Sequence, residues 1–156
     1  MGTTAVGPNR RAGGKRKGPL RAVARALVLE DDPLLAIMIE DALSEAGLAA
    51  VTVCADAASA LTEFERERPD ILILDVFLAD RDDGWAMAEL VAELSPTRPT
   101  IVFSTGAPER IPANVAELGT VLVKPYTPED LIAAIQKTRG SGILGRLRGV
   151  LSGAAS

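Results

Sequence analysis

Pro69-Asp70-Ile71-Leu72-Ile73-Leu74-Asp75 is the stretch on which the fold turns. A strand with one wet face alternates apolar and polar residues, whereas four apolar residues in a row, stopped by an acid, read as a strand buried on both faces. That pattern belongs to a parallel sheet covered by helices. Working back from it, Asp56 caps a helix over residues 57–67, which Pro69 ends, and Leu48 to Val53 is a second strand. Further back, Ala26-Leu27-Val28-Leu29 is a first strand. It is followed by Asp32-Pro33, an N-cap with proline at the first helical position. Leu35, Met38, Ile39, Ala42 and Leu43 then recur at helical spacing until Gly47. Working forward, Gly84 precedes a helix with Met87, Leu90, Val91 and Leu94 on one face. Thr100 to Phe103 is a fourth strand, Asn114 to Leu118 a short helix and Val121 to Val123 a fifth strand. Thr127-Pro128-Glu129-Asp130 starts the last helix. Strand and helix alternate five times, which predicts an α/β, doubly wound, five-stranded parallel sheet with helices on both faces.

The composition fits one globular domain: 156 residues, 47% hydrophobic and 24% charged. With no histidine, the chain supplies no Ser-His-Asp or Cys-His catalysis, no His-ligated zinc and no phosphohistidine of its own. A single cysteine, Cys54, excludes a disulfide framework and any CxxC site, and points to a reducing, cytoplasmic setting. The apolar runs are too short for a transmembrane segment. The net charge of −4 is unevenly spread. Residues 1–25 hold seven basic residues and no acid, while residues 26–139 hold eight basic residues and all 21 acids. So acidic a body argues against nucleic-acid binding by the folded part. Residues 1–24 read as a basic, disordered arm rich in glycine, and no apolar stretch follows them to make a secretory signal.

In open α/β sheets, ligands bind beyond the carboxyl ends of the strands. Strand one ends there in Glu30-Asp31-Asp32, strand three in Asp75, strand four in Ser104-Thr105-Gly106 and strand five in Lys124-Pro125. Crowded carboxylates repel, and a hard divalent cation, Mg²⁺ before Mn²⁺, answers them with few protein ligands plus water and phosphate oxygens. A carboxylate beside such an ion is a nucleophile toward phosphorus, and a lysine and a hydroxyl suit the phosphoryl oxygens. Each residue also has a plain structural reading. Glu30 to Asp32 can cap a helix, Asp75 can end a strand, Ser104 and Thr105 can cap a loop, and Lys124 can be a solvated loop cation. It is their joint presence at four sheet-edge positions that favours one chemical site.

Four segments, in this order and spacing, resemble the receiver domain of bacterial two-component response regulators over about residues 25–139. They are Leu27-Val28-Leu29-Glu30-Asp31-Asp32-Pro33, Pro69 to Asp75, Val102-Phe103-Ser104-Thr105-Gly106 and Val123-Lys124-Pro125-Tyr126. The resemblance implies strand order 2-1-3-4-5 and a phosphoacceptor at Asp75. It implies a metal site from Glu30, Asp31, Asp75 and the backbone carbonyl of Phe77, with Mg²⁺ as the cofactor. It further implies a switch hydroxyl at Thr105, a phosphate-binding lysine at Lys124 and a cis peptide before Pro125. The implied role is a single-domain response regulator, not an enzyme in the ordinary sense. It would take its phosphoryl group from a sensor histidine kinase or a histidine phosphotransfer protein, and signal to a downstream protein or pass phosphate along a relay, as a monomer or weak dimer. Two departures stand out: Val121 occupies the place of the usual aromatic rotor, and Ala107 that of the tyrosine found in a subgroup of small stand-alone receivers. Asp80, Asp82 and Asp83 follow in the loop after Asp75 and read as a solvated acidic turn.

After Arg139, Gly140-Ser141-Gly142 marks a break, and residues 140–156 form a glycine-interrupted tail. In it Ile143, Leu144, Leu147, Val150 and Leu151 recur at helical spacing. The competing readings are three. A pseudo-receiver would act as a phosphorylation-independent interaction module. A flavodoxin-like enzyme or phosphatase would want a phosphate-binding glycine loop, which is missing. A DNA-binding regulator would act through the basic arm.

Overall fold

The computed structural model describes residues 24–78 and 83–139, apart from the side chain of Asp83. Most of the basic arm, the acidic turn at 79–82 and the tail from 140 onward lie outside the described residues. Five strands form one parallel sheet: β1 Arg25–Leu29, β2 Ala50–Cys54, β3 Ile71–Asp75, β4 Thr100–Thr105 and β5 Thr120–Val123, in the order β2-β1-β3-β4-β5. Between them run α1 Pro33–Glu45, α2 Ala57–Arg66, α3 Asp83–Leu94 and the short α4 Ala113–Ala116. A closing helix α5 spans 128–139.

Strand parity sorts the core into two halves. Leu27, Leu29, Leu72, Leu74, Ile101 and Phe103 face α2, α3 and α4, where Phe64, Met87, Val91 and Val115 meet them. Ala26, Val28, Ile71, Ile73 and Val102 face α1 and α5, against Ile39, Leu43, Leu131 and Ile135. Every residue of β3 is buried, the sign of a central strand covered on both sides.

The helices start where local chemistry tells them to. The Asp32 carboxylate accepts from the Leu34 N–H at 2.9 Å, and Pro33 opens α1. Gly47, at φ 91°, ends it in the left-handed region that glycine tolerates. Asp56 accepts from both the N–H and the hydroxyl of Ser59, at 2.8 and 2.9 Å. At α5, Thr127 Oγ1 accepts from the Asp130 N–H at 3.2 Å while the Asp130 carboxylate accepts from the Thr127 N–H at 3.0 Å, a reciprocal capping box.

Several boundaries differ from the sequence reading. The second strand begins at Ala50 instead of Leu48, because Ala50 pairs with Arg25 at the start of β1; Leu48 is buried in the loop before it. The fourth strand continues through Ser104 and Thr105, which pair with Asp75 and Val123. Gly84 lies inside α3, not ahead of it. A Cβ there would press into the Asp75 carbonyl oxygen and come within 2.8 Å of Val76 Cα. Here glycine permits close helix–strand approach instead of marking a turn. A 3₁₀ turn at Pro108–Arg110 precedes α4, and the sequence reading gave no sign of it.

Candidate functional site

Continuing each strand past its last core residue builds the site. Leu29 pairs with Leu74, so the next positions are Glu30 and Asp75; Asp75 pairs in turn with Ser104, and Ser104 with Leu122, two residues before Lys124. Glu30, Asp75, Ser104 and Lys124 thus share the parity of the α1/α5 face and form a row across the carboxyl edge. Glu30 is 2% exposed and Asp75 5%, which is unusual for carboxylates. The Lys124 ammonium lies between them, 3.2 Å from Glu30 Oε2 and 3.3 Å from Asp75 Oδ2. Glu30 Oε1 accepts from the Asp32 N–H at 3.1 Å, and Asp75 Oδ1 from the Phe77 N–H at 3.2 Å. Glu30 Oε2 is in ionic contact with Lys124 but accepts no hydrogen bond of good geometry.

The electrostatics follow. Burial, reinforced by the charge on Asp75, pushes the Glu30 carboxyl up to about 7; the Asp32 N–H and Lys124 only partly oppose this. Burial alone would lower Lys124, but the charges of Glu30 and Asp75 outweigh it and hold the ammonium above its usual range. Among the described residues, two buried carboxylates share one cation, so the row is short of positive charge.

A metal ion would supply it. Oxygens of Glu30, Asp31 and Asp75 lie within 4.8 Å of one another, with Asp31 exposed to solvent. An all-oxygen set holding one unbonded buried oxygen fits a hard divalent cation better than a soft one. Phe77 is half-buried just past β3, its ring edge-on to Trp85 at 5.9 Å and covered by the Arg110 guanidinium at 4.2 Å.

Thr105 closes β4. It is 1% exposed, its hydroxyl accepts from the Ala107 N–H at 3.0 Å, and its carbonyl accepts from the Lys124 N–H at 2.8 Å. The Lys124–Pro125 peptide is cis. The structure therefore brings Glu30, Asp31, Asp75 and Lys124 together, while the Thr105 hydroxyl is engaged by its own loop. Val121 is half-buried and packs against the α2/α3/α4 side.

Two features of the site escaped the sequence reading. One is the glycine at 84, which sets α3 against the backbone of Asp75. The other is a hydrogen bond of 2.9 Å between Ser104 Oγ and Tyr126 Oη. No spacing rule links positions 22 apart.

Comparison with known proteins agrees with this architecture. The model of the response regulator receiver domain matches residues 26–136. The chain is 30% identical over 112 residues to a probable transcriptional regulatory protein, TcrX, of Mycobacterium tuberculosis, covering 70% of this chain and 47% of that protein. It is 23% identical to the chemotaxis protein CheY of Bacillus subtilis, covering 73% of this chain and 96% of CheY. The first curated relatives are thus about twice as long as the matched stretch. Among solved structures, the chemotaxis response regulator CheY4 of Vibrio cholerae superposes with a TM-score of 0.64 at 27% identity, over 74% of this chain and 98% of that one. No helix of the described residues is long and apolar enough to cross a membrane. On the match over residues 26–136 and the five-stranded order β2-β1-β3-β4-β5, this chain belongs to the response regulator receiver domain family.

Proposed function

We propose that Asp75 accepts a phosphoryl group from a phosphohistidine on a sensor kinase or phosphotransfer protein. The observation that carries this reading is the buried row in which Lys124 lies within 3.3 Å of both Glu30 and Asp75. An Asp75 oxygen attacks phosphorus in line; the P–N bond breaks, and its electron pair leaves on the imidazole nitrogen, which takes a proton. The Lys124 ammonium, already held at the acceptor, neutralises charge that grows on the phosphoryl oxygens. Glu30, Asp31, Asp75 and the Phe77 carbonyl would hold Mg²⁺, or Mn²⁺, which supplies charge neutralisation for three carboxylates and an incoming phosphate. In this reading Thr105, at the end of β4, binds a phosphoryl oxygen after its loop rearranges; its hydroxyl accepts from the Ala107 N–H before that.

In this reading residues 25–139 are the receiver, preceded by a basic arm and followed by a tail. The protein works in the cytoplasm and signals through a phosphorylation-dependent protein contact or a phosphorelay. The test is incubation with acetyl phosphate and Mg²⁺, read by intact mass beside Asp75→Asn. A single Mg²⁺-dependent phosphoryl adduct in the wild type alone is expected; an equal adduct in Asp75→Asn would overturn the assignment.

Val121, where receivers usually carry an aromatic rotor, favours a second reading: an interaction module indifferent to phosphorylation. Absence of both the adduct and Mg²⁺ binding would select it.

A further inference from the structure

Ser104 is fully buried, and among the described residues its hydroxyl meets one side chain, the Tyr126 hydroxyl, at 2.9 Å. Ser104 pairs in register with Asp75 and faces the same side of the sheet. Tyr126, the only tyrosine of the chain, lies two residues beyond Lys124, across the cis bond to Pro125. One hydrogen bond therefore joins the strand next to the acceptor to the far side of the loop that carries the ammonium. The near side is tied separately, by the Lys124 N–H on the Thr105 carbonyl. A lysine side chain is long, strongly hydrated and costly to order, so a loop fixed at one end only would leave its ammonium free to swing into solvent. Packing does not need the hydroxyl. The half-buried Tyr126 ring lies against the apolar α1/α5 half of the core, where a phenylalanine ring would fit as well. A buried serine hydroxyl without a partner is, by contrast, unfavourable.

We infer that Tyr126 is a positioning residue: bonded to Ser104, its hydroxyl holds the Lys124-Pro125-Tyr126 loop so that the Lys124 ammonium stays against Asp75. This rests on the reading of Asp75 as phosphoacceptor and gives Lys124 a fixed geometry before any phosphate arrives. It also gives the chain an aromatic link between β4 and the loop after β5, where Val121 cannot provide one.

The test compares wild type, Tyr126→Phe, Ser104→Ala and the double variant, all confirmed folded by circular dichroism. The first readout is the rate of phosphoryl uptake from acetyl phosphate with Mg²⁺. Each single variant should slow uptake about five-fold, the worth of one net hydrogen bond, and the double variant should be no slower than either. In a Lys124→Ala background, Tyr126→Phe should change nothing. The second readout needs no phosphorylation: acetylation of Lys124 by acetic anhydride relative to the exposed Lys137, measured by peptide mass. That ratio should rise about five-fold in both single variants. A wild-type rate and ratio in Tyr126→Phe would overturn the inference, as would additive effects in the double variant or slowing that persists without Lys124. If the wild type itself takes up no phosphoryl group, the phosphoacceptor reading fails, and the acetylation ratio still decides whether Tyr126 positions Lys124.

Discussion

Lys124→Ala removes a cation shared by two buried carboxylates. Its ammonium lies 3.2 Å from Glu30 and 3.3 Å from Asp75, whose side chains are 1% and 7% exposed. At an effective dielectric of about 20, each contact has a Coulomb energy of about 5 kcal/mol. Much of that is cancelled, because burying the lysine has its own desolvation cost. Breaking a buried pair by removing one partner typically costs about 3–5 kcal/mol, and the partial exposure of Lys124 places this case near 3 kcal/mol. The loss depends on pH. The Glu30 carboxyl in the folded protein sits at about 7, above its unfolded value of 4.5. Between those values the folded state holds a proton that the unfolded state has given up, so the stability of the metal-free wild type falls as pH rises through that window. Without Lys124 the Glu30 carboxyl rises further and the fall continues to higher pH. The deficit of Lys124→Ala should then be about 3 kcal/mol at pH 8 and about half that at pH 5, where protonated Glu30 leaves only Asp75 unpaired. Urea unfolding followed by far-ultraviolet circular dichroism measures both. Mg²⁺ at pH 8 should stabilise the variant more than the wild type. Equal deficits at pH 5 and pH 8 would refute the electrostatic account and reduce Lys124 to a packing residue.

Gly84→Ala forces a Cβ against the Asp75 carbonyl and Val76 Cα, so α3 must shift; a loss of about 2–3 kcal/mol is expected by urea unfolding, together with slower phosphoryl uptake. Asp56→Ala should lower the melting temperature at pH 7. The Asp56 carboxyl is held below its usual range by the Ser59 N–H and hydroxyl, so this difference should be lost as pH falls through the folded-state value, as thermal melts across the acid range would show. Cys54 is buried, and burial with the charges of Glu63 and Asp56 raises its thiol pKa, so a disulfide reagent should label it only at the rate at which the protein opens. Labelling as fast as that of a free thiol would show that the end of β2 is not closed.

The fold was legible because its signals are local. The run from Ile71 to Leu74 needs no partner to be read as a strand buried twice over, and Asp32-Pro33, Asp56 and Thr127 announce helices by backbone chemistry alone. The carboxyl-edge residues were legible for a related reason: each stands directly after an apolar run, so a rule about strand ends collects them. What stayed hidden depends on atoms far apart in sequence. Ser104 and Thr105 read as loop because they are polar, yet they remain in the ladder, where Ser104 pairs with Asp75 and Thr105 with Val123. Gly84 has the look of a turn residue, and only the approach of α3 to the Asp75 backbone shows why a side chain is not tolerated. The bond between Ser104 and Tyr126 required the loop after β5 to fold back across β4.

The outer edge of β5 has a consequence for the behaviour of concentrated solutions. An edge strand presents unpaired backbone groups to any neighbouring molecule and so invites sheet growth from one copy to the next. Alternate residues of a strand direct their N–H groups to the same side, so the four residues Thr120–Val123 offer an incoming chain only about two donors. Pro125, just past the strand, contributes none. The ladder that would recruit a foreign strand is thus cut short beside the site, and the proline just past β5 limits growth of the sheet from one copy to the next.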